Sequence, residues 1–273
     1  MGLLYDASVE DVLLMAHDES LAQREFERIN RALELFPVVQ DILLKEAAQR
    51  AFYQSDPPSP IDALCNTHLA SPEIIPTLVA LLPQVKHPRV KEAIVRALTV
   101  KEARGIANSA LIEQLRQVPW SAELHQEYLT LAVAHRELGD FDKLPVEMQH
   151  RLRTLAPWES LLSAFGNALW YLARRENLPY LLEIVRDPRY GSARAEIVRA
   201  VVCLRPEGLR ELLLDLLQDP DDGLALEAAR GLARLKVREA RKAILARFSE
   251  RMARRGQGEF RKMVEKLVAR LGE

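Results

Sequence analysis

The sequence predicts an all-α fold in which helical hairpins stack into an α-solenoid, a superhelix of repeated units. Leucine and alanine supply 79 of the 273 residues and glycine only 11, so strong helix formers dominate. Apolar residues recur at spacings of three and four almost throughout, and prolines stand where one such run ends and the next begins. A repeat of 31 to 32 residues in the C-terminal half predicts the stacking.

The helices follow from these apolar runs, taken in chain order. Pro157 is expected to open a helix, which divides one long run in two. Three prolines between 57 and 60 forbid helix and predict a linker. This linker would divide an N-terminal helical cap, 1–56, from a repeat region, 61–273, with a basic C-terminal cap, unless 1–273 is one continuous domain. The predicted helices lie near residues 8–18, 20–36, 38–53, 60–70, 73–85, 89–100, 103–117, 120–138, 145–155, 158–175, 177–187, 192–204, 206–218, 222–235, 237–255 and 259–272.

The internal repeat appears when three segments are aligned without a gap. They begin at Ala164, Glu196 and Glu227, which gives periods of 32 and 31 residues. The first two run through to Asp-Pro pairs, and the residue before proline is biased out of the helical region. Small residues share one column, as expected where helices approach closely, and large apolar residues share two more. The three columns hold Ala168, Ala200 and Gly231; Leu172, Leu204 and Leu235; and Leu181, Leu213 and Ile244.

The residues from Asp219 to Leu245 resemble a known family of repeats. They open with Asp219-Pro220, continue through an Ala-rich helix to Leu235, and close with a second apolar helix. This pattern is similar to the short HEAT-like repeat named after phycobilisome lyases, and the similarity covers roughly 176–250, with a weaker copy over 72–117. The resemblance implies a solenoid of HEAT-like hairpins. Families with this repeat include bilin lyase subunits, protein scaffolds and alkylpurine DNA glycosylases, so it implies architecture more closely than activity.

The composition and motifs give no support for a metal, a cofactor or a catalytic site. Cys65 and Cys203 stand alone, and the six histidines show no spacing typical of a metal site. No nucleophile elbow or phosphate-binding loop is present, so a non-enzymatic role is favoured and no cofactor is predicted. The longest uncharged stretch, 160–173, is too short to cross a membrane, and the cysteine pattern together with the missing signal peptide predicts a cytoplasmic protein.

The repeat register predicts a polar ladder on successive second helices. Arg199, Arg230 and Arg261 lie 31 residues apart, and a second row would run one helical turn further on, through Cys203, Arg234 and Glu265. Second helices commonly line the concave face of a solenoid. The alternative is a solvated face on which the arginines pair with Glu196 and Glu227 at i−3. The predicted partner-binding residues are Asn167, Tyr171, Arg199, Arg230, Arg234 and Arg261.

The net charge of −1 hides an asymmetry along the chain. Residues 1–60 carry a net charge of −6 and residues 229–273 a net charge of +9. The basic end could face an acidic protein or nucleic acid, or it could be the polar coat that a terminal repeat needs for solubility. The cations concerned are Arg247, Arg251, Arg254, Arg255, Lys262, Lys266 and Arg270.

These features predict a scaffold that binds a macromolecular partner, a protein before a nucleic acid, through its concave second-helix face. A nucleic-acid-binding protein, with the base-excision chemistry of an alkylpurine DNA glycosylase, is the alternative; it would use the ladder together with Trp158, Trp170 and Glu159. Packing is the competing role for these aromatic residues. A bilin-lyase-like chromophore handler is a third interpretation, for which the sequence offers no specific site.

Overall fold

The computed structural model describes residues 8–52, 59–67, 72–254 and 256–271, and within them the chain folds into fifteen α-helices without a strand. The predicted all-α class is therefore confirmed. None of the described helices is both long and apolar enough to cross a membrane. The helices are α1 (Val9–Leu14), α2 (Glu19–Leu33), α3 (Pro37–Phe52), α4 (Pro60–Thr67), α5 (Ile75–Leu81), α6 (Pro88–Ala97), α7 (Asn108–Arg116), α8 (Ala122–Leu138), α9 (Val146–Leu172), α10 (Leu178–Arg186), α11 (Ala193–Leu204), α12 (Leu209–Leu216), α13 (Asp222–Arg234), α14 (Ala240–Ala253) and α15 (Gly258–Arg270).

A row of six helices runs through the described part of the chain, each packed against the next. The row is formed by α4, α6, α9, α11, α13 and α15. In its C-terminal half, α10 packs against α11, α12 against α13, and α14 against α15. At the other end, α2 and α3 pack against α4. Most of the predicted linker, residues 53–58, lies outside the described residues.

The prediction of two helices at 145–155 and 158–175 was wrong, because α9 is one helix of 27 residues with Pro157 inside it. Proline has no N–H, so the helix loses the hydrogen bond to the carbonyl of Arg153. Leu155 and Trp158 are buried on either side of Pro157, and the Trp158 indole donates from Nε1 to the carbonyl of Leu13 at 3.0 Å. Tertiary packing therefore holds the helix together across the proline.

The column of small residues lies where helices approach each other closely. Ala168, Ala200 and Gly231 are all buried. A Cβ added to Gly231 would stand 2.9 Å from methyl groups of both Leu213 and Val202, so α13 leaves no room for a side chain there. The apolar columns are also inside: Leu181, Leu213, Ile244 and Leu172 are fully buried, while Leu204 and Leu235 are half-buried.

Candidate functional site

The first two arginines of the predicted ladder are neutralised by the protein itself. Arg199, on α11, donates to both carboxylate oxygens of Glu227, from Nε at 3.1 Å and from Nη2 at 2.9 Å, and from Nη1 to Glu196 at 2.7 Å. Arg230, on α13, also pairs with Glu227, which is buried. This is the ion-paired arrangement that the alternative interpretation describes, and it ties α11 to α13.

The ladder does not continue to Arg261. The next contact of Arg230 is with Met263, whose sulfur lies 3.4 Å from Nη2, while the Arg261 guanidinium donates from Nε to the carbonyl of Met252 at 3.1 Å. The 31-residue register therefore ends before α15, which follows the turn around Gly256. At the other end, Asn167 and Tyr171 are exposed on α9.

The second row keeps its register between α11 and α13. Arg234 lies with Nη1 3.4 Å from the Cys203 sulfur, and both side chains are exposed. On α15, however, the side chain that meets this row is Lys266 rather than Glu265. Together they border a pocket of about 420 Å³, here called the α13–α15 pocket, which is lined by Arg230, Ala233, Arg234, Met263, Lys266, Leu267 and Arg270.

The α13–α15 pocket has four cationic side chains and no carboxylate in its lining. Among the residues that the structure describes, Arg234, Lys266 and Arg270 form no ion pair. The sequence held all four cations in view, but as two separate features: Arg230 and Arg234 in the ladder, and Lys266 and Arg270 in the basic C-terminal region. Only the packing of α13 against α15 places them around one pocket.

The other basic C-terminal residues are mostly paired. Arg247 and Arg251 each lie 2.9 Å from a carboxylate oxygen of Asp222, on the side of α13 that faces α14. Lys262 lies 2.9 Å from Glu259, one turn earlier in α15. Arg254 lies 3.9 Å from Glu137, and Arg255 is outside the described residues. The positive charge that is free to attract a partner is therefore concentrated at the α13–α15 pocket.

A buried cluster around His125 was not predicted from the sequence. His125, on α8, lies with Nε2 3.2 Å from Oδ2 of Asp221 and with Nδ1 3.4 Å from Oε1 of Glu159. Asp221 caps the N-terminus of α13 by accepting from the backbone N–H of Gly223 at 2.7 Å, and Glu159, on α9, accepts from the backbone N–H of Ser192. One imidazole thus links α8 to α9 and to the start of α13.

Charge pairing decides the protonation of this cluster. Burial alone would lower the pKa of His125, but hydrogen bonds to Asp221 and Glu159 and their negative charges raise it to about 9. Burial alone would raise the pKa of Asp221, yet the hydrogen bond and charge of His125, with two backbone N–H groups, lower it. The ring is therefore an imidazolium at neutral pH. Because each ring nitrogen faces a different carboxylate, the arrangement serves as an internal clasp.

Gly191 gives this cluster the room it needs. Its φ of +47° lies in the left-handed region, which favours glycine. A Cβ at this position would lie 3.0 Å from Oε2 of Glu159 and 3.1 Å from both Nδ1 of His125 and Nε1 of Trp120. The sequence gave separate local reasons for its members: Glu159 was attributed to the dipole at the start of a helix, and Asp221 to the repeat turn. Their convergence depends on tertiary packing, which no spacing in the sequence reveals.

The His125 clasp predicts a pH dependence of stability. Because folding raises the pKa of His125 from 6.5 to about 9, the stabilisation is complete below about pH 6.5 and is lost as the pH rises through about 9. The difference in unfolding free energy between the wild type and His125→Gln should therefore shrink between about pH 6 and about pH 9.5 in urea titrations. His150→Gln, at an exposed histidine, is the control and should show no such trend; a constant difference for His125→Gln would contradict the clasp.

The aromatic residues of the glycosylase alternative are placed differently from one another. Trp158 is buried, with its indole N–H bonded to Leu13, so its ring cannot stack on a nucleobase in this structure. Trp170 is half-buried beneath the guanidinium of Arg199, whose carbon lies 5.6 Å from the ring centroid. Glu159 belongs to the His125 clasp. Among the described residues, no group of three or more His, Cys, Asp or Glu side chains is placed to hold a metal ion. No family model, no curated protein and no solved structure matches this chain.

Proposed function

We propose that the chain is a non-enzymatic α-solenoid of HEAT-like hairpins that binds an acidic segment of a protein partner along its inner helices. The row of helices in mutual contact, with flanking helices packed on α11, α13 and α15, supports this architecture. The buried small residues at equivalent positions on α9, α11 and α13 support it as well, because they recur with the repeat. The concave face would then be formed by α11, α13 and α15.

The α13–α15 pocket carries the proposal. Along the inner helices, cations lose their internal partners towards the C-terminal end: Arg199 has two carboxylates, Arg230 has one, and Arg234 has the Cys203 sulfur. Unpaired positive charge attracts an anionic partner and speeds its association. This free charge is set on a row of stacked helices, and a binding surface of that kind is what a repeat scaffold offers.

The lining of the pocket favours a protein partner over a nucleic acid. Ala233 and Leu267 are buried in its floor, and Met263 is half-buried between the cations. Apolar side chains between charges suit a peptide that alternates acidic and apolar residues, and methionine adapts well to such a surface. Binding of single-stranded nucleic acid typically uses aromatic side chains for base stacking, and the lining of this pocket contains none.

A designed peptide tests this function. A short fluorescent helical peptide that alternates glutamate and leucine should bind the full chain, with an affinity that falls as salt rises. Arg234→Glu with Lys266→Glu should weaken binding by about tenfold or more, because two attractive charges become repulsive. Arg241→Glu with Lys242→Glu, a matched charge reversal on exposed residues of α14, should have little effect.

Two results of this experiment would refute the proposal. The first is an equal loss of affinity in both double variants, which would show a general charge effect rather than a site. The second is tighter binding of a thymidine oligonucleotide than of the peptide at the same salt concentration, which would favour the nucleic-acid alternative. Circular dichroism and thermal melts of each variant establish that the comparison is made between folded proteins.

A further inference from the structure

We infer that the α13–α15 pocket is a receptor for a phosphate monoester, the phosphorylated side chain of a residue in the bound protein segment. This inference rests on the proposed function and names the group that the segment presents. The lining places four cations around about 420 Å³ of space without a carboxylate. A single carboxylate brings one negative charge and two oxygens, whereas a phosphate monoester brings nearly two charges and three acceptor oxygens.

The four cations form two facing pairs of like charge. Arg230 and Arg234 lie one turn apart on α13, and Lys266 and Arg270 lie one turn apart on α15. Like charges at i and i+4 repel each other in a helix, and here two such pairs border the same pocket. Folding stability offers no reason to assemble them, because carboxylates could neutralise them as they do for Arg251 and Lys262. A multiply charged anion does supply a reason.

One of the four cations is held in place before any ligand binds. Arg230 pairs with Glu227, which is buried and is also gripped by both Nε and Nη2 of Arg199. This chain of ion pairs fixes the Arg230 side chain at the border of the pocket, against the Met263 sulfur. A preorganised guanidinium can meet two phosphate oxygens at once, which a flexible ammonium group cannot.

The floor of the pocket strengthens the attraction. Ala233 and Leu267 are buried, so one side of the bound anion would face apolar groups instead of water. Charge–charge attraction is stronger where water is excluded. The same apolar floor can receive the methylene or ring that links a phosphate to its peptide, and it favours a phosphorylated side chain over free inorganic phosphate.

Three matched peptides test the inference on the full chain. They share one acidic and apolar sequence and differ only at a central position, which holds phosphoserine, glutamate or serine. We expect the phosphoserine peptide to bind about tenfold or more tightly than the glutamate peptide, and the serine peptide to bind most weakly, by calorimetry at constant salt. Lys266→Gln with Arg270→Gln should abolish the phosphoserine advantage, whereas Arg241→Gln with Lys242→Gln should preserve it.

The outcomes separate this inference from the proposed function. If the phosphoserine and glutamate peptides bind equally, the phosphate receptor is refuted while the acidic-segment scaffold stands. If none of the three peptides binds, both are refuted. If a thymidine oligonucleotide competes as well as the phosphoserine peptide, the pocket recognises phosphodiesters and the inference is overturned. Competition by inorganic phosphate against the phosphoserine peptide alone would support it.

Discussion

Replacing His125 with alanine is expected to lower the free energy of unfolding by about 3–5 kcal/mol at neutral pH. The substitution removes the only positive charge between the carboxylates of Asp221 and Glu159 in the clasp. Both carboxylates are buried and would be left without their ion-pair partner. The same change also opens a cavity between α8 and the helices that it joins.

Urea titrations measure this loss, and two further variants interpret it. Asp221→Asn removes one charge but keeps an oxygen that can cap α13 for Gly223, so it should cost less than His125→Ala. His150→Ala, on the surface of α9, should change stability by less than about 0.5 kcal/mol. A loss below about 1 kcal/mol for His125→Ala would mean that the imidazole contributes little beyond its volume.

Gly166→Ala is expected to destabilise the protein by about 2–3 kcal/mol, although alanine is the better helix former. Gly166 lies in α9, where its missing side chain lets the start of α11 approach. A Cβ there would stand 2.7 Å from both the Cα and the carbonyl oxygen of Ala193, and 3.0 Å from Cβ of Glu196. Backbone atoms cannot rotate away, so the two helices would have to separate.

Gly258→Ala is the matched control for Gly166→Ala. Gly258 opens α15, and a Cβ at this position has no neighbour within 4 Å. The control should be neutral or slightly stabilising, by up to about 1 kcal/mol, because alanine favours helix. Thermal and urea unfolding of both variants give the comparison; equal stability of the two would show that α9 and α11 adjust their spacing at little cost.

The fold class could be predicted from the sequence because helical signals are local. Spacings of three and four, together with helix-terminating prolines, describe single segments and do not depend on distant residues. Pro157 shows where such signals are insufficient. Taken locally, a proline starts a helix, but the burial of Leu155 and Trp158 on either side keeps α9 continuous. Tertiary contacts overrode the local preference.

The candidate site was only partly accessible for a related reason. The repeat period correctly placed Cys203 beside Arg234, because both belong to units of equal length. It placed Arg261 wrongly, since the turn into α15 breaks the period and brings Met263 to Arg230 instead. The His125 clasp joins residues from different repeats and from α8, so no periodic pattern contains it. Buried ion pairs of this kind are properties of packing.

The length of α9 also has a consequence for how the chain folds. Trp158 bonds to Leu13 across 145 positions, and Arg151 pairs with Glu10 across 141. Repeat proteins usually owe fast folding to contacts between neighbours in sequence, but these two links require a large loop to close before they form. The docking of α1 onto α9 is therefore expected to be a late and slow step, after the neighbouring helices have assembled.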